Sequence, residues 1–119
     1  MRTSIQSQSF SVTPAIREWI EKHIQRNLQR YEADVVGVEV YISDLNGPRG
    51  GDDIRVVMRA SLAGFSPVSV STEHRDLYVG ASRTAKRMRR AVRKTLKKAR
   101  RIRPTKVVAM RRQALEIAT

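Results

Sequence analysis

The chain has no cysteine in its 119 residues, which excludes disulfide staples and thiolate metal sites and fits a reducing compartment. Aromatic residues are scarce, with one tryptophan, three tyrosines and two phenylalanines. A sheet that reads RNA by stacking wants several exposed rings, and this supply is thin. No stretch approaches the ~20 apolar residues of a spanning helix. The segment Met1 to Phe10 is polar and lacks the apolar run of a signal peptide. A cytoplasmic protein that does not enter membranes is expected.

Groups for catalysis are equally sparse. His23 and His74 stand far apart, without neighbours at ligand spacing. Asp52-Asp53 is an acidic pair of the kind usually solvated at a turn. Gly47-Pro48-Arg49-Gly50-Gly51 is rich in glycine but opens no helix, so it does not read as a phosphate loop. No nucleophile–base pair stands out. The expectation is a protein that is not an enzyme, with no cofactor, no metal and no small-molecule substrate.

The most uneven shortage is of acid. The formal net charge is +13. Residues 1–82 hold nine basic and ten acidic side chains, and residues 83–119 hold fifteen basic ones against a single acid, Glu116. All of the excess therefore sits in the last third, and no acid lies between Leu77 and Leu115. Such asymmetry points to nucleic acid first and to an anionic membrane second.

What is present reads as β-α-β-β-β-α. Thr3 to Ser7 is a short strand candidate. Thr13 and Pro14 cap and open a helix of about 18 residues, whose stripe is Ile16, Trp19/Ile20, Ile24, Leu28 and Tyr31. From Val35 the period changes to two, with Val36, Val38, Val40 and Ile42 on one face and Gly37, Glu39 and Tyr41 on the other. After a turn over Asn46–Gly51, Ile54, Val56, Met58, Ala60 and Leu62 alternate, and Gly64 marks a second turn. Val68, Val70 and Thr72 form a third alternating run. Asp76 caps a long helix over 77–102, with Ala81, Ala85, Met88, Val92, Thr95, Ala99 and Ile102 as its core stripe and Pro104 as its stop.

The β-α-β start requires parallel pairing through a right-handed crossover, and strands with one apolar face need cover on one side only. The expected fold is α+β, a four-stranded sheet with two helices packed on one face, similar to double-stranded RNA-binding domains. One domain over residues 1–103 is expected. The basic tail, 104–119, is read as either one short amphipathic turn or disorder.

On a helical wheel of about 100° per residue, Arg83, Arg87, Arg90, Lys94, Lys97 and Arg101 fall opposite the core stripe. Lys86, Arg89, Arg93 and Arg100 fall on one flank and Lys98 on the other. Pairs such as Arg83–Arg87, Arg90–Lys94 and Lys97–Arg101 each weaken the helix by roughly 0.2–0.5 kcal/mol. A solvated face usually mixes signs, so the bland reading fits poorly, and phosphate supplies a use for the penalty. The apolar stripe is narrow and partly alanine, which suits a sheet better than a membrane surface. The helix-turn-helix, zinc-finger and basic-zipper patterns are absent. A sheet-face site around Tyr41, Arg55 and Arg59 is the weaker alternative.

Three stretches resemble a known family, that of hibernation-promoting factors and ribosome-associated inhibitors. Val12-Thr13-Pro14-Ala15-Ile16-Arg17-Glu18 resembles the opening of the family's first helix. Asp76-Leu77-Tyr78 resembles its acidic-aliphatic-Tyr start of the second helix, and Arg87-Met88-Arg89-Arg90-Ala91-Val92-Arg93-Lys94 its basic stretch. The resemblance covers roughly residues 1–100 and includes the element order.

It implies a bacterial, cytoplasmic protein that sits on the ribosomal RNA of the small subunit, at the decoding region, and excludes messenger and transfer RNA. On matching positions, Arg26, Arg87, Arg90 and Lys94 would contact RNA. With the rest of the basic surface, the candidate RNA-binding set is Arg26, Arg30, Arg83, Lys86, Arg87, Arg90, Arg93, Lys94, Lys97, Lys98 and Arg101. The sequence departs from the family in Ala91, where glutamine is usual, in Ala81, where a larger aliphatic is usual, and in its acid-free second helix. It carries no match to the C-terminal domain with which long members pair ribosomes, so pairing by that route is not expected. The alternatives are a general nucleic-acid-binding module without ribosome specificity, and a regulator whose basic helix docks on an acidic protein.

Overall fold

The computed structural model describes residues 1–8, 11–45 and 53–102, with side chains as far as Lys98. The predicted turn over Asn46–Gly51, the tail after Pro104, and the side chains of Ala99, Arg100, Arg101 and Ile102 lie outside the described residues. The elements are β1 (Arg2–Gln8), α1 (Pro14–Leu28), β2 (Val35–Asp44), β3 (Ile54–Leu62), β4 (Val68–His74) and α2 (Leu77–Ile102), with a 3₁₀ turn, Gln29–Tyr31, prolonging α1. This is the expected β-α-β-β-β-α order.

The start of α1 follows from its capping chemistry. The Thr13 hydroxyl accepts a hydrogen bond from the Ile16 amide at 3.2 Å, and Pro14 occupies the first turn, where no amide proton is needed. Ile20, Ile24 and Leu28, four residues apart, are fully buried. Asn27 is buried beside them and is satisfied by donating to the His23 carbonyl at 2.8 Å. At α2 the Asp76 carboxylate accepts from the amides of Tyr78, at 2.8 Å, and Val79, at 3.4 Å, two of the donors that a helix start leaves without partners.

The sheet runs β1-β2-β3-β4. β1 and β2 are parallel, and the other two pairings are antiparallel. One row across it, Ile5, Val40, Met58 and Val70, faces the helices. The row beside it, Gln6, Tyr41, Val57 and Ser71, faces away. Both helices contribute to the same core, Ile20, Ile24 and Leu28 from α1 and Ala81, Ala85, Met88, Val92 and Leu96 from α2. Helix α2 lies over β3 and β4 with α1 alongside it.

Two local expectations are corrected. A bulge between Val35 and Gly37 shifts the register of β2 on β3, so Val35 is buried and Val36 is 60% exposed. An extra residue in one strand breaks strict alternation, and a period-two reading cannot anticipate it. Gly37 sits opposite Arg2, and a Cβ there would come within 3.2 Å of the Arg2 carbonyl oxygen. The close approach of β1 thus favours the missing side chain.

The second correction concerns α2, where Leu96 is buried and Thr95 only half-buried. Thr84, off the predicted stripe, is also fully buried. The buried arc is wider than the wheel suggested because α2 packs on the sheet beneath and on α1 at its side. Thr84 joins a polar contact inside the core. Its hydroxyl lies 2.7 Å from that of Thr72 on β4, and both hydroxyls reach the Gly80 carbonyl, at 2.7 and 3.1 Å. Between β3 and β4, Gly64 takes a φ of 80°, a left-handed conformation in which glycine is at ease.

Candidate nucleic-acid interface

The local sequence of α2 puts small and apolar residues inside and every described Arg and Lys outside. Arg83, Lys86, Arg87, Arg89, Arg90, Arg93, Lys94, Lys97 and Lys98 are all exposed. Ion pairs among the described residues join Arg17 to Glu21 on α1, at 3.9 Å, and Arg55 to Glu73 on the sheet, at 2.8 Å. Neither involves a residue of α2.

The packing of α2 beside α1 divides the predicted residues into groups. Arg26 of α1 and Arg30 of the 3₁₀ turn come together with Arg90 and Arg93 of α2 around one cleft of about 500 Å³, which Asn27, Tyr31 and Arg89 also line. Arg89, a lining residue, lies outside the predicted RNA-binding set. The wheel places it on the flank with Arg93, and that flank proves to face the end of α1.

Arg83, Lys94, Lys97 and Lys98 remain on the solvent side of α2, outside the cleft. Lys86 lies near enough to His23 to act on its charge. Arg87 is drawn the other way, and its guanidinium donates to the Ser71 carbonyl of β4 at 2.9 Å. This covers one acceptor of β4, the last strand in the sheet order, and ties up one nitrogen of a predicted RNA contact. Arg101 belongs to α2 by its backbone.

At the N-terminal half of the helix pair, Trp19 and Tyr78 are 36% and 40% exposed. Their rings meet edge to face at 5.3 Å, and the Trp19 indole donates to the Tyr78 carbonyl at 3.0 Å. This contact clips the two helices together at their edge. His23 lies 4.5 Å from the Trp19 ring. Partial burial holds its pKa below the ordinary 6.5, and the nearby charges of Arg26, Lys22 and Lys86 lower it further.

On the open face of the sheet, the alternative site, Arg55 and Tyr41 are bonded to carboxylates, whereas exposed Arg59 has no ion-pair partner among the described residues. Arg55 forks onto the Glu73 carboxylate at 2.8 and 3.2 Å. The Tyr41 hydroxyl donates to Glu39 at 2.9 Å, and that carboxylate raises the phenol's pKa above its ordinary value. Among the described residues, no three His, Cys, Asp or Glu side chains gather as metal ligands. No described helix is long and apolar enough to cross a membrane.

A mixed sheet backed by two helices, one presenting only positive charge, matches a class of ribosome-associated proteins. The model of the family described as sigma 54 modulation protein / S30EA ribosomal protein matches residues 3–100, and the chain belongs to that family. It is not an enzyme family.

Among solved structures, the N-terminal domain of Protein Y from Thermus thermophilus is 27% identical, with a TM-score of 0.64 over 79% of this chain and 98% of that one. A ribosomal subunit interface protein from Coxiella burnetii shares the fold, with a TM-score of 0.69 at 19% identity over 79% of this chain and 96% of that one. Comparison with curated proteins finds no match.

Proposed function

We propose that the protein binds the small ribosomal subunit at its decoding region, with the outer face of α2 and the arginine cleft on ribosomal RNA, and so keeps messenger and transfer RNA out. In this reading it is a translation inhibitor acting in the cytoplasm, and residues 1–103 are the binding domain. The observation that carries the reading is the convergence of Arg26 and Arg30 with Arg89, Arg90 and Arg93 beside an acid-free helix face. Guanidinium groups match phosphate oxygens in a fork, and each phosphate they neutralise releases counterions. Family membership supports the ribosome as the source of that phosphate.

The competing reading, a general polyanion binder, is favoured by the same lack of acids, because a face with no negative charge rejects no nucleic acid. Sedimentation of purified small subunits with the protein, at two salt concentrations, separates the two. The proposal expects a one-to-one complex that survives near-physiological salt and is displaced by initiator transfer RNA. A protein held by six to ten phosphates alone loses about 10³–10⁵ in affinity between 50 and 200 mM salt. Super-stoichiometric binding, or a complex that vanishes with modest salt, would overturn ribosome specificity.

A further inference from the structure

We infer that the cleft between the end of α1 and the middle of α2 is a binding site for condensed phosphate, the directly linked phosphoryl chain shared by nucleoside triphosphates and inorganic polyphosphate. The inference rests on reading this surface as phosphate-binding, and not on the ribosome being its target.

Three features distinguish the cleft from the rest of the basic surface. It is concave, about 500 Å³, whereas Arg83, Lys94 and Lys97 stand on an outer face. Five of its seven lining residues are arginines, drawn from α1, the 3₁₀ turn and α2, and none has an ion-pair partner among the described residues. Tyr31 lines the wall half-buried, packed against the core, with no hydrogen bond to its hydroxyl among the described residues.

Like charges gathered in a cavity repel, and the repulsion is relieved in proportion to the anionic charge that fits inside. A nucleic-acid strand carries one charge per phosphodiester, with a sugar between neighbours, so it fills such a cleft with few charges. A polyphosphate joins its phosphoryl groups directly through oxygen and concentrates several charges in the same space. It also offers oxygens on several sides, which suits forked donors approaching from both helices. Tyr31 adds a hydroxyl donor for the chain and a ring edge for a nucleoside.

The test is calorimetric titration of the full chain with inorganic tripolyphosphate, ATP and orthophosphate at near-physiological salt. The inference expects saturable one-to-one binding of tripolyphosphate, at least ~10-fold tighter than orthophosphate. Arg89→Gln with Arg93→Gln should weaken it by ~10-fold or more, while Arg83→Gln with Lys97→Gln, the same loss of charge outside the cleft, should change it less than about twofold. The nucleotide arm identifies the source. ATP equal to tripolyphosphate points to the inorganic chain, whereas tighter ATP binding that Tyr31→Ala abolishes points to a nucleotide.

Equal losses in the two double variants, non-saturable binding, or orthophosphate binding as tightly as tripolyphosphate would each overturn the site. Sedimentation of the same variants with small subunits keeps the readings apart. If Arg89→Gln with Arg93→Gln loses the ribosome while wild-type protein ignores tripolyphosphate, the inference falls and the proposed function stands.

Discussion

The two broad surfaces of this molecule both carry arginine, in very different electrical company. On the open sheet, Arg55 is forked onto Glu73 and Tyr41 is bonded to Glu39. On the helix side, the described cations of α2 have no acidic partner, and five arginines crowd one cleft. A paired guanidinium has already exchanged its hydration for a carboxylate and has little to gain from a phosphate. An unpaired one gains a partner and is freed from its neighbours' repulsion. Unpaired positive charge is concentrated on the helix side, although Arg59 on the sheet also has no ion-pair partner among the described residues, and that concentration supports the proposal that the helix side takes the anion.

Reversing charge on each surface puts the comparison to its hardest test. Arg90→Glu with Arg93→Glu should cut affinity for small subunits by ~100-fold or more if the proposed surface is right, since it would remove two phosphate contacts and add repulsion. The same change should not destabilise the fold. A carboxylate at position 90 faces Lys94, and one at 93 faces Lys97, replacing like-charge pairs with attractive ones at roughly 0.2–0.5 kcal/mol each. Co-sedimentation and thermal unfolding on one preparation read both effects. Exchanging Arg55 and Glu73 on the sheet should alter binding less than about threefold if their pairing keeps them out of the interface. Comparable losses from the two surfaces would erase the distinction.

An opposite split is expected from the buried hydroxyl pair. Thr84→Val keeps the shape but removes a donor to the Gly80 carbonyl and a partner of Thr72. With the site wholly buried, the cost should be about 1–2 kcal/mol in chemical denaturation, with no change in RNA affinity at temperatures where the protein is folded. A binding defect as large as that of the charge reversal would mean that α2 must be tuned to the sheet for recognition. Smaller still, Arg55→Ala should cost less than about 1 kcal/mol, because its ion pair is half-exposed and screened.

How far these surfaces were legible in the sequence depended on whether one element or two defined them. The alternation in β3, the Thr13-Pro14 cap and the Asp76 start of α2 are local chemistry, and the structure keeps them. The unpaired outer face of α2 was equally readable, because it follows from one helix and the absence of acids. The bulge that turns Val36 outward depends on how two strands meet.

The same holds for Leu96 replacing Thr95 in the core, which needs α1 at the side of α2. Arg89 is the most instructive case. A wheel ranks it as flank, and only the 3₁₀ turn that carries Arg30 and Tyr31 toward α2 makes it part of a cleft. Arg87 shows the converse, since its position on the outer face gave no hint that the edge of β4 would hold it.

The smallest expected effect lies where the two helices share charge, at His23. Its pKa is lowered first by burial and then by Arg26, Lys22 and Lys86. The native histidine therefore binds its proton less readily than the unfolded chain, where the ordinary value of 6.5 applies. Its contribution to stability is complete above that value, declines as pH falls through it, and levels off once the native histidine is itself protonated. His23→Gln should flatten this slope. Phosphate bound to Arg26 and Lys86 would remove their repulsion and raise the native pKa, so binding should take up a fraction of a proton and tighten slightly as pH drops from about 7.5 to about 6. Following the His23 ring protons by NMR, with and without an RNA ligand, reads this directly. An unchanged midpoint on binding would show that no phosphate approaches Arg26 or Lys86, and would count against contact in the cleft that Arg26 lines, leaving the solvent face of α2.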